Sequence, residues 1–356
     1  MDIINIYDNS LYYIGGVVRD KLLGKESFDI DITYVGNAIE YCSKFGKVLQ
    51  ENPDFGTVRV LVGDREVDFA STRAEKYDKK GHLPVITKIG CSLKEDVMRR
   101  DFTINAMAMN TATGKIIDYT GGQNDLKNKV LRILHDNSFI DDPTRIIRGL
   151  KFRVRFGFEL EPHTKKLQKD YLNNINYDMS YKRVKKELTE TFNLNSQKAF
   201  ELFIKEGIYK LVSPRNFELP EINIEELIKQ YPVENVWLVY CGLLPDLSNL
   251  ELTKQEAKII SDFRAIGDLK NDFEIYKAFE NLSTESILLY GISKDINSAK
   301  KYLDKLKNIK IETTGDDLLK MGIKPSPKYQ EIFDKILMAK LENPEMTKED
   351  ELKLIL

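Results

Sequence analysis

Glycine and arginine crowd one end of this chain, and that asymmetry limits the folds open to it. Fourteen of the 20 glycines fall at or before Gly157, and 12 of the 14 arginines at or before Arg183. Glycine supplies the tight turns that join short strands and helices, so the front third reads as mixed α/β. The remainder is rich in Lys, Glu, Leu and Ile at helical spacing, as in Glu225, Leu227, Ile228 and Tyr231, or Leu318, Leu319 and Met321. Breaks at Pro214, Pro220, Pro245, Gly267, Gly291 and from Gly322 to Pro327 divide it into a helical array. The 356 residues suffice for several modules with ample core.

Composition excludes several classes of chemistry. Apolar residues at 42% and charged residues at 31% are ordinary for a globular chain and rule out wholesale disorder. The densest apolar stretch, Val236 to Leu244, is about half of what a membrane span needs. The opening MDIINIYDNS has neither the basic nor the apolar region of a secretory leader. Cys42, Cys91 and Cys241 are far apart with no CxxC pair, so a reducing cytoplasm is the expected setting. His82, His135 and His163 form no HxxxH or HExxH spacing, and no GxSxG elbow occurs. The histidines read as core or surface residues, which leaves carboxylates and arginines to carry any catalysis. Although the net charge is −2, residues 145–188 hold 12 Lys/Arg against 5 Asp/Glu. Such a stretch can neutralise phosphates, and it also arises on a solvated helical face.

The first chemical constellation opens the chain. Leu11 to Ile14 is a short strand pattern running into Gly15-Gly16-Val17-Val18-Arg19-Asp20 and then a helix. Paired glycines between strand and helix let backbone N–H groups approach a phosphate, with Arg19 to supply charge. Just downstream, Asp29 and Asp31 are spaced i,i+2 and face one side of a strand. Two such carboxylates repel unless a cation joins them, and Mg²⁺ favours hard oxygen ligands. A second strand pattern from Arg65 to Ala70 adds Asp68 as a third acid beside the pair.

This order of elements resembles the polymerase-β nucleotidyltransferase superfamily. GGVVRD, FDID and Arg99-Arg100-Asp101-Phe102-Thr103-Ile104-Asn105-Ala106-Met107-Ala108 are similar to class II tRNA nucleotidyltransferases (CCA-adding enzymes) and bacterial poly(A) polymerases. Further matches follow at Asp118 with Gly121-Gly122 and Asp125-Leu126, at Asp141 to Arg145, and at Arg183 to Leu188. The resemblance implies an α+β fold: a polymerase-β-like head with a mixed sheet, then an all-α neck, body and tail. The boundaries read from it are residues 1–115, 116–190, 191–268 and 269–356. It implies Mg²⁺ on Asp29 and Asp31, with Asp68 completing the catalytic acids. Gly15, Gly16 and Arg19 then meet the triphosphate, and Arg100, Asp101 and Asn105 handle phosphate and ribose. Ala106 and Ala108 read as packing residues of a buried helix.

Asp142 to Lys151 is the most informative segment. Pro143 suits the first helical position with Asp142 as N-cap, which places Arg145, Arg148 and Lys151 along one face. Cytosine and adenine both offer an exocyclic amino donor beside a ring acceptor, and uracil and guanine reverse that order. A carboxylate at Asp142 and a guanidinium at Arg145 thus fit C and A, and each mismatch costs on the order of 1–3 kcal/mol. The resemblance assigns the family's amino-acid template to this pair and puts Arg148 and Lys151 nearer triphosphate or RNA. Three positions depart from the family pattern: Asp141 stands for Glu, Lys151 for Arg, and Lys182 for an acid that braces the neck.

The activity so implied is addition of CCA to tRNA from CTP and ATP, with the acceptor stem and elbow gripped and no protein partner required. Alternatives are A-adding or CC-adding enzymes, a poly(A) polymerase, and an inactive RNA-binding scaffold. The last ten residues lack a strongly basic tail, which argues against poly(A) synthesis. Intact Asp29, Asp31 and Asp101 argue against a scaffold. The charged stretch Thr72 to Leu83 resembles the mobile loop that accompanies A addition, which disfavours a CC-only enzyme.

Overall fold

The structure, a computed structural model, describes residues 4, 6–27 and 29–356, so Phe28 of the acidic motif lies outside the described residues. The chain divides into two compact units, residues 1–191 with 201–216, and residues 192–200 with 217–356.

The first unit opens with β1 (Leu11–Ile14) and α1 (Gly16–Leu22), joined at Gly15. Gly15 adopts φ 74° and ψ −128°, a region closed to side-chain-bearing residues, so the turn depends on glycine there. β2 (Ile30–Tyr34), α2 (Ala38–Cys42), β3 (Lys47–Asn52), β4 (Thr57–Val62) and β5 (Arg65–Ser71) follow. β6 (Arg73–Lys76) and β7 (Val85–Ile89) form a separate antiparallel hairpin. After α3 (Leu93–Met98), β8 (Met107–Asn110) and β9 (Ile116–Asp118) complete the main sheet. Its order is β3-β4-β5-β2-β1-β8-β9, with β2 and β5 parallel and the other neighbours antiparallel. In β2 and β5 the levels Ile30↔Val67 and Ile32↔Phe69 are buried core, and the level between them pairs Asp31 with Asp68. Period-two alternation therefore puts both acids on the face opposite the core.

Two expectations need correction. Asp29 is exposed and precedes β2 by one residue, because the ladder with β5 begins only at Ile30. The segment after Asn105 is strand β8 rather than helix. Its buried alanines pack as expected, but Ala108 pairs with Ile14 on β1 and Ile117 on β9. A run this short carries no period that separates helix from strand, and pairing on both sides decided it.

The unit continues through α4 (Gly122–Lys127), β10 (Val130–Leu131), α5 (Ser138–Asp141), α6 (Thr144–Phe156), β11 (Glu159–Leu160), α7 (Pro162–Asn173) and α8 (Tyr181–Phe192). Asp118 accounts for the glycine pair that follows it: its carboxylate accepts from the backbone of Thr120, Gly122 and Gln123 and so starts α4. α6 starts one residue later than the sequence reading placed it, with Asp142 accepting from the Thr144 amide at 3.2 Å.

The second unit is helical, with its longest helix at Lys328–Glu342. Leu288, Leu289, Tyr290, Phe279 and Trp237 are among its buried side chains. Near its end Glu351 is fully buried and accepts from the backbone of Glu312 and Thr313, the Thr313 hydroxyl and the Lys340 ammonium.

Candidate active site

Strand register builds an acidic row beside a cleft of about 440 Å³. Gln50 on β3 lies opposite Arg59 on β4, Arg59 opposite Asp68 on β5, and Asp68 level with Asp31 on β2. All four line the cleft, together with Arg73, Arg99 and Arg100. Burial pushes the Asp31 carboxyl up; Arg100 pulls it down, and Asp68 and Asp29 push it up again. Among the described residues no donor reaches the Asp31 carboxylate. Asp68 stands beside Asp31 as expected, but Arg59 holds both of its oxygens, at 2.7 and 2.9 Å. Among the described residues no three acidic, histidine or cysteine side chains form a ready metal cage.

The glycine turn and the RRDFTINA segment close on each other. A methyl group at Gly15 would stand 3.1 Å from Arg100 Nη1, so the missing side chain is what lets the guanidinium approach. Arg100 Nη2 donates to Asp96 at 3.2 Å, and its buried Nε has no partner among the described residues. Asp96 also accepts twice from Arg99, at 2.8 and 3.1 Å, and once from the Arg73 amide. Sequence reasoning missed Asp96. Its signal was local: it sits three and four residues before two arginines, in the helix opened by the Ser92–Glu95 capping box. Gly16 begins α1. Arg19 turns inward: it donates to Asp20 at 2.8 Å and to Asn105 Oδ1 at 2.6 Å, with its guanidinium carbon 4.6 Å from the Phe156 ring centre.

Asn105 connects that buried pair to Asp101, whose Oδ1 it reaches at 3.1 Å. Asp101 also accepts from the Phe102 amide and from Arg148. Burial alone would raise its carboxyl; the Arg148 charge and the hydrogen bonds of Asn105, Arg148 and Phe102 outweigh burial and bring it down to about 2. Arg148 continues to Glu187, and Lys151 to Glu187 and Glu190 at 2.9 and 2.6 Å. Glu187, on α8, thus gathers Arg148 and Lys151 of the α6 face.

Asp142 and Arg145 are both buried and both already engaged. Asp142 accepts from Thr144 and from Arg183 on α8. Arg145 donates to the Ser138 hydroxyl at 2.7 Å, the Arg99 carbonyl at 3.0 Å and the Tyr77 hydroxyl at 3.3 Å. Tyr77 follows β6, and the stretch from Thr72 to Leu83 comprises β6 and the connection to β7, which meets the helical segment. Its Gly81 amide donates to the Asp141 carbonyl and its carbonyl accepts from Ser180, both at 2.9 Å. Among the departures, Lys151 serves two acids from a single nitrogen and Lys182 is exposed. His82 and His163 pair with Asp178 and Asp136 on the surface, and His135 is half-buried.

Residues 11–132 match the family described as the poly A polymerase head domain. The chain is 30% identical to the A-adding tRNA nucleotidyltransferase of Halalkalibacterium halodurans, covering 90% of this chain and 82% of that protein. It is 31% identical to the A-adding tRNA nucleotidyltransferase of Geobacter sulfurreducens over 97% of this chain but 44% of the relative, so it spans less than half of that protein's length. The solved structure of the Thermotoga maritima CCA-adding enzyme complexed with tRNA is 27% identical with a TM-score of 0.76, covering 97% of this chain and 90% of that one. Sequence identity, fold and the docking of GGVVRD on RRDFTINA agree, and the chain belongs to the class II tRNA nucleotidyltransferase family of CCA-adding and A-adding enzymes.

Proposed function

We propose that this chain completes the CCA terminus of tRNA without a nucleic-acid template, transferring nucleotidyl groups from CTP and ATP to the RNA 3′-hydroxyl. One observation carries the reading: the cleft joins Asp31, a carboxylate unpartnered among the described residues, to Arg100, a guanidinium whose buried Nε finds no acceptor among them. The first seeks a cation and the second a phosphate oxygen.

Asp29 and Asp31 offer the hard oxygen donors that Mg²⁺ takes, and the like-charge repulsion at Asp31 is what a cation relieves. Bound there, the ion would neutralise triphosphate charge and lower the pKa of the attacking hydroxyl. Arg100 is pre-aimed by Asp96 and by the open side of Gly15, so it can hold a phosphate with little reorganisation. Asp101 already meets four nitrogens, the Phe102 amide, Asn105 Nδ2 and Arg148 Nε and Nη2, so a ribose hydroxyl would share or displace one of them. Arg19 then supports this apparatus from below through Asn105. Asp142 and Arg145 would offer an acceptor and a donor to the base edge, the order that C and A match, on exchanging some of their contacts with Thr144, Arg183, Ser138 and Tyr77. The 3′-oxygen attacks the α-phosphorus and pyrophosphate leaves, so positioning and charge neutralisation supply most of the catalysis.

Addition of A alone is a second reading, favoured by the names of the Geobacter and Halalkalibacterium relatives. Purified protein, Mg²⁺ and labelled CTP or ATP are incubated with one transcript ending at the discriminator base and one ending in CC. Full CCA on the first, stopping after one A, supports CCA addition. A on the CC-ended transcript only supports the second reading. Long A tails would identify a poly(A) polymerase, and no incorporation on either would refute transfer.

A further inference from the structure

We propose that Arg59 is the resident counter-ion of the catalytic acids: it keeps Asp68 from the divalent cation in the substrate-free enzyme and thereby sets how tightly that cation binds before nucleotide arrives. The inference rests on the reading of Asp29 and Asp31 as cation ligands.

The sheet register produces the arrangement. Arg59 lies directly opposite Asp68, and Asp68 lies level with Asp31 on the next strand. The guanidinium fork grips both Asp68 oxygens, at 2.7 and 2.9 Å. The fork engages one lone pair on each oxygen, and its fixed positive charge, which a guanidinium cannot shed, opposes a second cation at the same carboxylate. Cation and Arg59 therefore compete for one acid, and Asp68 joins a metal set only when Arg59 swings away.

Two features make Arg59 the cation that can leave. The pair is 44% and 45% exposed, and ion pairs so wet contribute little and open cheaply. Arg100, the arginine that acts more on Asp31, is tied to the buried Asp96. Among the described residues, Arg59 forms ion pairs only with Asp68 and, at 3.7 Å, with the exposed Glu66. Its residence also keeps three neighbouring carboxylates from facing one another uncompensated.

Mn²⁺ is the probe, titrated into the full chain without nucleotide or RNA and followed by the electron paramagnetic resonance of the free ion. R59Q should bind Mn²⁺ on the order of tenfold more tightly, because it removes a competitor and a nearby like charge. D68N alone should change the affinity less than about twofold, since Asp68 is already occupied, and R59Q/D68N should lose the gain of R59Q. R59K, which keeps the charge without the fork, should fall between wild type and R59Q. An R59Q affinity equal to or weaker than wild type would overturn the proposal. So would a gain that persists in R59Q/D68N, because bulk charge alone would then explain it. D31N separates this from the underlying reading: if D31N binds Mn²⁺ as wild type does, the assignment of Asp29 and Asp31 has failed. Thermal melts of R59Q should match wild type within a few degrees, as expected of an exposed pair.

Discussion

Asp31 and Asp101 are acids of one site held in opposite ways. Asp31 is partly buried beside like charges, so its carboxyl lies above the ordinary range, and folding works against its ionisation. Asp31→Asn should abolish incorporation, leave tRNA binding nearly intact, and raise stability at neutral pH by roughly 1 kcal/mol. Filter binding and thermal melts check both halves; retained turnover would remove Asp31 from the catalytic set. Asp101 sits at about 2 despite its burial, because Arg148, Asn105 and the Phe102 amide prefer the charged form. A depressed acid stabilises the fold at pH values above its unfolded pKa. That contribution, about 2 kcal/mol from the size of the shift, is lost as pH falls from about 4 through about 2. Asp101→Asn should therefore cost most at pH 6 and progressively less towards pH 2.5. Urea unfolding at several pH values measures it, and a pH-independent cost would contradict the cause given.

At the scale of elements, the β1–α1 turn and helix α6 do the positioning. Gly15→Ala meets both a forbidden backbone region and Arg100 at 3.1 Å. Strain of ~1–3 kcal/mol is expected, and displacement of Arg100 should raise the KM for ATP more than it lowers kcat. Steady-state kinetics of G15A decides it: an unchanged KM would separate the turn from nucleotide binding. Arg145→Ala should erode the preference for CTP and ATP over UTP and GTP, and unchanged selectivity would refute base reading by α6. The same change strands the Ser138 and Tyr77 hydroxyls and the Arg99 carbonyl, so a stability loss of about 1–3 kcal/mol should accompany it. The motif strings that announced these elements were visible in the sequence. That β8 is a strand was not, because a four-residue apolar run acquires its period only from the strands beside it.

For the molecule as a whole, charge divides into two uses. Much of the basic excess between residues 145 and 188 turns inward: Arg148, Lys151, Arg153 and Arg183 pair with Asp101, Glu187, Glu206 and Asp142. Lys165, Lys166 and Lys169 on α7 remain exposed. If this face meets tRNA phosphates, replacing all three by Ala should weaken binding and reduce the salt slope of log K by roughly 0.7–0.9 per lysine in contact. Affinities measured across a salt series test it; a slope equal to wild type would place the RNA elsewhere. No helix among the described residues is long and apolar enough to cross a membrane.

The sequence by itself determined the α/β front and helical remainder, the glycine turn and the arginine-rich segments, because each is written in local spacing and side-chain chemistry. Only tertiary structure decided which of those charges face the cleft and which face each other. Arg19 looked like a phosphate ligand and is enclosed by Asp20, Asn105 and Phe156. Arg59 and Asp96 drew no notice and hold Asp68 and Arg100 in place. Partners such as Gly15 and Arg100, or Asp101 and Arg148, stand far apart in the chain and meet only through packing. A buried charge is governed by whichever opposite charge packing delivers to it, and that choice has no local signature.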